Sequence, residues 1–202
     1  MDKKWRLWGV VMYSEGMAVP RDMQGIVSGR VHNALYYPPL LNLNRLIKPD
    51  FSIFRVAEVA KERIRREISL SYFNGHGIEF NVFAPGKPSW LEEQYRYLGK
   101  TVRVLRDHSS NFSHSGFLPL LPTLEDKVYV NYWPGETSNI YTVFSLLPTG
   151  FQGALFAVRP AEDTHFFDLF HYRDIELDTL DGTAYAKVDI PSFDAKYLGT
   201  RL

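Results

Sequence analysis

The sequence contains no cysteine, which excludes a disulfide scaffold and any thiolate-bound metal while leaving the compartment open. It also lacks an excess of charge of either sign. Its 23 basic side chains are balanced by 23 acidic ones, so bulk electrostatics predict neither a nucleic-acid partner nor a membrane surface. Long hydrophobic runs are missing too: the apolar stretch after MDKKWR is far shorter than a membrane span, and no small-residue cleavage site follows it, so no signal peptide is read there. There is no G-x-S-x-G elbow, no G-x-x-x-x-G-K-[ST] loop and no G-x-G-x-x-G, and Gly75-His76-Gly77 is best taken as a turn. His108 with His114 and His165 with His171 are spaced in a way that fits neither a helical zinc pair nor a finger. Neither a metal nor a cofactor is expected. The basic runs KERIRRE, interleaved with acids and an apolar residue, and RYLGKTVRVLR, interleaved with apolar residues, read as solvated helix faces.

What is present is ample material for a core: 202 residues, 45% of them hydrophobic and 15% aromatic. WGVVMYSEGM, residues 8–17, is dense in Val, Met and Tyr and bounded by Gly, which predicts a strand buried on both faces with Glu15 where it ends. Pro20 and the Pro38-Pro39 pair bracket a predicted helix over Arg21 to Tyr37. FRVAEVAKERIRREISLSYFNG places Ala57, Ala60, Ile64, Ile68 and Tyr72 at helical spacing and predicts a second helix, closed by Asn74-Gly75. IEFNVF reads as another buried strand. Pro85 to Pro88 turns the chain, and Ser89 with Glu92 forms a capping-box pattern for a helix from Trp90 to about Asp107. Strand, helix, strand, helix is the order of a parallel sheet with crossover helices.

After Ser109 no helix is read. KVYVNYW, NIYTVFSLL, GALFAVR, THFFDLF, AYAKVDI and KYLGTRL are short aromatic and β-branched runs separated by turn sequences, with Asp181-Gly182 a hairpin signal. They predict an antiparallel β-sandwich. The expected units are therefore 1–111 and 112–202. A core-type strand within a few residues of Met1 and a strand-like run at Leu202 give both ends a cut appearance.

The runs REISLSYFNGHGIEFNVF, KVYVNYWPG, NIYTVFSLLPTGFQGALF and FFDLFHYRDIEL, in this order, resemble the C-terminal part of large glycoside hydrolases, in which a (β/α)8 catalytic barrel precedes a β-sandwich. The resemblance implies an α/β plus all-β chain: the last strand–helix units of a (β/α)8-type barrel followed by an antiparallel β-sandwich. A whole barrel takes about 250 residues, so it also implies a fragment. The active site would be completed by the remainder of the barrel or a partner chain, the substrate would be a carbohydrate, and the chain would be inactive in isolation.

Under that reading Glu15 lies at the C-terminal end of a barrel strand and takes the place of a catalytic carboxylate; otherwise it caps a helix or pairs with Arg21 or Arg30. Glu79 and Asn81 are two residues apart on one strand and share a side, either as a second catalytic group with a sugar-binding amide or as a buried polar pair. Arg21 and Asp22 follow the first strand at substrate height, although an acid near a helix start is also favourable to the helix dipole. Trp90 and Trp133 offer stacking surfaces for sugar rings, or core. The rival readings are a noncatalytic carbohydrate-binding or structural β-sandwich module with an α/β adapter, and a self-contained protein that binds an unrelated partner.

Overall fold

The computed structural model describes residues 13–15, 20–31, 41, 44–58, 64–81 and 89–192. Outside them lie several of the expectations above: most of WGVVMYSEGM, the Pro38-Pro39 helix end, Ala60, the end of IEFNVF, the turn from Pro85 to Pro88, and the KYLGTRL strand.

The first half is built on four parallel strands, β1 (Tyr13–Glu15), β2 (Ser28–Val31), β3 (Ser52–Glu58) and β4 (Gly77–Asn81), paired in chain order. Helices α1 (Pro20–Met23), α2 (Asn44–Ile47) and α3 (Ile64–Phe73) fall between the strands, and α4 (Leu91–Asp107) and α5 (Ser109–Phe112) follow them. Two of these elements overturn expectations. In the described part of the predicted helix over Arg21 to Tyr37, residues 21–31, the chain forms the short α1 and then the strand β2, and the predicted helix beginning at Phe54 is a strand as far as Glu58. At α4 the N-cap is Trp90, with no side-chain cap hydrogen bond, so the expected capping box of Ser89 and Glu92 is not made.

One face of the sheet is apolar and packs under helices. Ile53 joins Met23, Ile26 and Phe51, while Ala57 joins Ile64 and Ile68 of α3 and Leu91 and Tyr97 of α4, with Ile78 and Phe80 against them. Because side chains alternate along a strand, Arg55 falls on this same face. It is 0% exposed and ion-paired with Glu67 of α3. Helix α3 ends in a Schellman motif: Gly75, at φ +64°, donates to the Tyr72 carbonyl at 2.9 Å, and His76 to that of Ser71 at 2.7 Å.

The second half forms small antiparallel sheets. Strands β5 (Leu118–Leu121), β6 (Val128–Trp133) and β7 (Ile140–Ser145) make one. Strands β8 (Phe151–Val158), β11 (Leu177–Leu180) and β12 (Thr183–Ile190) make another, in the order β11-β12-β8, and β9 (Phe167–Asp168) pairs with β10 (Arg173–Asp174) alone. Val128 and Val130 of the first sheet share a core with Leu155, Phe156, Val158, Ala186 and Ile190 of the second. The loop Asp181-Gly182 has both residues at positive φ, 48° and 77°, as a two-residue hairpin between right-twisted strands requires.

The expected architecture, barrel units followed by a β-sandwich, is thus corrected. The parallel sheet is open, with β1 and β4 at its edges, and no closed barrel is present among the described residues. The rest is divided among three small antiparallel sheets with a short helix, α5, at the junction. The physical reason is the number and pairing of strands: four strands paired in sequence leave two edges, whereas closure needs about eight with a consistent tilt and stagger.

Polar bonds lock the two halves together around the end of α3. The Phe73 carbonyl accepts from Asn131 Nδ2 at 3.0 Å and from Thr142 Oγ1 at 2.9 Å, and Thr142 Oγ1 in turn accepts from Trp133 Nε1 at 2.9 Å. The buried Arg45 guanidinium donates to the carbonyls of Asn74, Gly75 and Phe112, lies 5.3 Å from the Trp133 ring and has its pKa lowered by burial to about 10. Trp133 is 0% exposed and stacks on Phe117 with ring centres 4.1 Å apart. It is core, and the reading of Trp133 as a sugar platform is withdrawn.

Candidate active site

Opposite the helix-covered face, the parallel sheet carries polar groups toward its C-terminal edge. Arg30 of β2 and Glu79 of β4 meet across β3, with Nη2 to Oε1 at 2.8 Å. The register accounts for this: Arg30 is level with Phe54, which is level with Gly77, and Glu79 stands two residues further along β4 on the same side. Arg30 is 19% and Glu79 38% exposed at the side chain, so the ion pair adds little to stability. It holds one carboxylate oxygen in place and leaves the other available.

The same register locates further acids by their backbone. Glu58, the last residue of β3, is level with Asn81, and Glu15, the last of β1, is level with Arg30. With strands about 4.8 Å apart and a rise of about 3.3 Å per residue, the Cα atoms of Glu58 and Glu79 lie about 8 Å apart. Those of Glu15 and Glu79, three strands and two residues apart, lie about 16 Å from each other by the same spacings. The sheet therefore brings together Arg30, Glu58, Glu79 and Asn81, and sets Glu15 at the far edge beside Arg30.

Of the other expected site residues, Arg21 is exposed and Asp22 is next to it in α1, after β1; Trp90 is 43% exposed at the start of α4, after β4. These connections leave from the C-terminal edge of the sheet, where open parallel sheets bind their ligands. Glu58 and Arg30 were missed as site residues because both fell inside predicted helices. The available signal was the alternation in SIFRVAE, with Ile53, Arg55 and Ala57 on one parity and Phe54, Val56 and Glu58 on the other.

His165 bonds Asp174 at 3.0 Å and His171 bonds Asp168 at 2.7 Å, and among the described residues no cluster of three His, Asp or Glu side chains is placed to hold an ion. Hydrogen bonds to His171 and to backbone N–H groups outweigh the opposing effect of burial and keep the Asp168 carboxyl below the usual range.

Comparison with protein-family models, with curated proteins and with solved structures finds no match. The site is therefore read on its chemistry alone.

Proposed function

We propose that this chain contributes to the active site of a carbohydrate-active glycoside hydrolase, with the acids at the C-terminal edge of the parallel sheet acting on an O-glycosyl bond. The observation that carries this reading is the placement of Glu79, fixed by Arg30 at 2.8 Å, on a strand beside Glu58 and Asn81. Glycoside hydrolysis needs two carboxyl groups flanking one bond, one protonated and one ionised. A Cα separation of about 8 Å allows two Glu side chains to converge on a sugar between them. Glu58 and Glu79 form this pair better than Glu15 and Glu79, and Glu15 takes a supporting place near Arg30. Asn81 supplies an amide for sugar hydroxyls, with Trp90, Arg21 and Asp22 at the approach. The remaining walls of the site come from polypeptide beyond the described sheet or from a partner chain.

The test is hydrolysis of a panel of 4-nitrophenyl glycosides by the protein purified in its native assembly. Turnover should fall about a thousandfold in Glu58→Gln and in Glu79→Gln, with KM changing far less. No turnover of any glycoside, or unchanged kcat in both variants, overturns the proposal.

A further inference from the structure

A second concavity, with a volume of about 790 Å³, lies where the antiparallel half meets the ends of α3 and α4, between β7, the β8–β12 pair and the β9–β10 hairpin, with Tyr72 and His108 on its helical side. Small-molecule sites form at junctions of this kind and are of this size. Its charge is one-sided. Six Asp and Glu residues line it against three Lys and Arg, an excess of three negative charges in a chain with no net charge. Ion pairing does not absorb the excess: Arg173 is shared by Asp189 at 3.0 Å and Asp168 at 3.4 Å, Asp174 has a histidine, His165, for its partner at 3.0 Å, and Glu136 and Asp163 pair with no base among the described residues.

The sign of the charge selects a cation, and the spread of the acids selects its shape. Glu136 comes from the β6–β7 loop, Asp163 from the β8–β9 connection, Asp168 and Asp174 from the hairpin and Asp189 from β12. No three His, Asp or Glu side chains among the described residues converge as a compact metal ion requires. Rings lie among these acids: Tyr141 packs against Phe156 with ring centres 4.9 Å apart, and Phe167 is 38% exposed. A chain of ammonium groups separated by methylenes matches both features, since its charges meet dispersed carboxylates and ring faces while its methylenes lie on apolar surface.

Tyr72 supplies the second observation. Its side chain is 7% exposed and lines the cleft, yet its hydroxyl has no hydrogen-bond partner among the described residues. Buried hydroxyls are nearly always paired. Burial first, and then Tyr97 and the Asp168 carboxylate, hold its pKa above the usual phenol range. The hydroxyl is therefore protonated and stands near a lining acid. An ammonium N–H donated to the phenol oxygen supplies the missing bond, beside a carboxylate that favours the incoming charge.

We propose that this cleft binds a linear aliphatic polyamine, with ammonium groups set against Glu136, Asp163 and the Tyr72 hydroxyl and methylenes along Tyr141 and Phe167. The site is separate from the sheet carboxylates and does not rest on hydrolysis there.

Isothermal titration of the intact protein with spermidine tests it, with putrescine, trilysine and magnesium chloride as comparison probes. Spermidine should bind saturably at a single site and more tightly than each of the others. Glu136→Gln combined with Asp163→Asn should weaken it about fivefold or more, as loss of two exposed charge pairs does. Asp126→Asn, at an exposed acid outside the cleft, should leave it unchanged. Tyr72→Phe should weaken binding about tenfold, the worth of one hydrogen bond to a charged group. Its Tm should equal or exceed that of the parent, because only an unpaired hydroxyl is removed and the ring keeps its place with Val104 and Phe112; a purely structural tyrosine would lower Tm and leave binding intact. Absence of saturable spermidine binding, tighter binding of trilysine or magnesium, equal weakening by Asp126→Asn, or a Tyr72→Phe protein with lowered Tm or unchanged binding overturns the proposal.

Discussion

His76 should make the stability of this protein pH-dependent between pH 7 and pH 5. The side chain is 3% exposed in the turn from α3 to β4. Burial first, and then the nearby guanidinium groups of Arg45 and Arg55, hold its pKa well below 6.5. A folded-state pKa below the unfolded one means that the unfolded chain binds a proton the folded chain refuses once the pH drops under about 6.5. Stability therefore rises with pH up to that value, is flat above it, and is lost on acidification. For one proton the loss is bounded by RT ln(1 + 10^(6.5 − pH)), on the order of 1–2 kcal/mol between pH 5.5 and pH 5. Asp168, whose lowered carboxyl pKa contributes stability that disappears only as pH falls below the usual carboxylate range, does not interfere in this window. The assay is urea unfolding of the parent and of His76→Gln at half-unit steps from pH 7.5 to 5. The variant is less stable throughout, but its profile should be flatter by the amounts above. Profiles of equal slope would refute the argument, because they would mean that His76 accepts its proton in the folded state at no cost.

Gly75→Ala should cost about 3 kcal/mol: a Cβ there would stand 2.9 Å from Phe112 Cδ1 and 3.2 Å from Trp133 Cη2 at φ +64°, adding overpacking to backbone strain. Gly182→Ala, at φ +77° with nothing within 4 Å, should cost only about 1–2 kcal/mol, and equal losses in urea would disprove the steric part. Thr142→Val keeps the shape but strands the Trp133 N–H and removes one of two donors to the Phe73 carbonyl, for about 2–3 kcal/mol and a Tm lower by about 4–10 °C. Thr142→Ser retains the hydroxyl and should recover more than half of that loss; a serine variant as unstable as the valine one would show that the hydroxyl is not what matters.

The features legible in the sequence are those written in local chemistry. Helix α4 carries an uninterrupted helical pattern, Gly75 marks the end of α3, and Asp181-Gly182 supplies the two positive φ values of its hairpin. What was not legible depended on partners distant in the chain. Ser28–Val31 has almost no strand signal of its own and becomes β2 because β1 and β3 pair on either side of it, a case of tertiary context overriding propensity. The order of elements suggested a barrel and a sandwich, but order does not specify closure, which depends on whether edge strands such as β1 and β4 find each other. Helical spacing drew Ala57 into the pattern of Ile64 and Ile68, and that assignment carried Glu58 away from the site. The deeper cause is that β3 and its neighbours carry charge on both faces. Arg55 lies with Ile53 and Ala57 on the covered side, balanced there by Glu67, while Arg30 and Glu79 bridge the other side. Strands of this kind have no clean apolar and polar alternation to read. Arg55 makes sense only once Glu67 is packed against it, and Glu79 only once a residue 49 positions away reaches across the sheet to hold it.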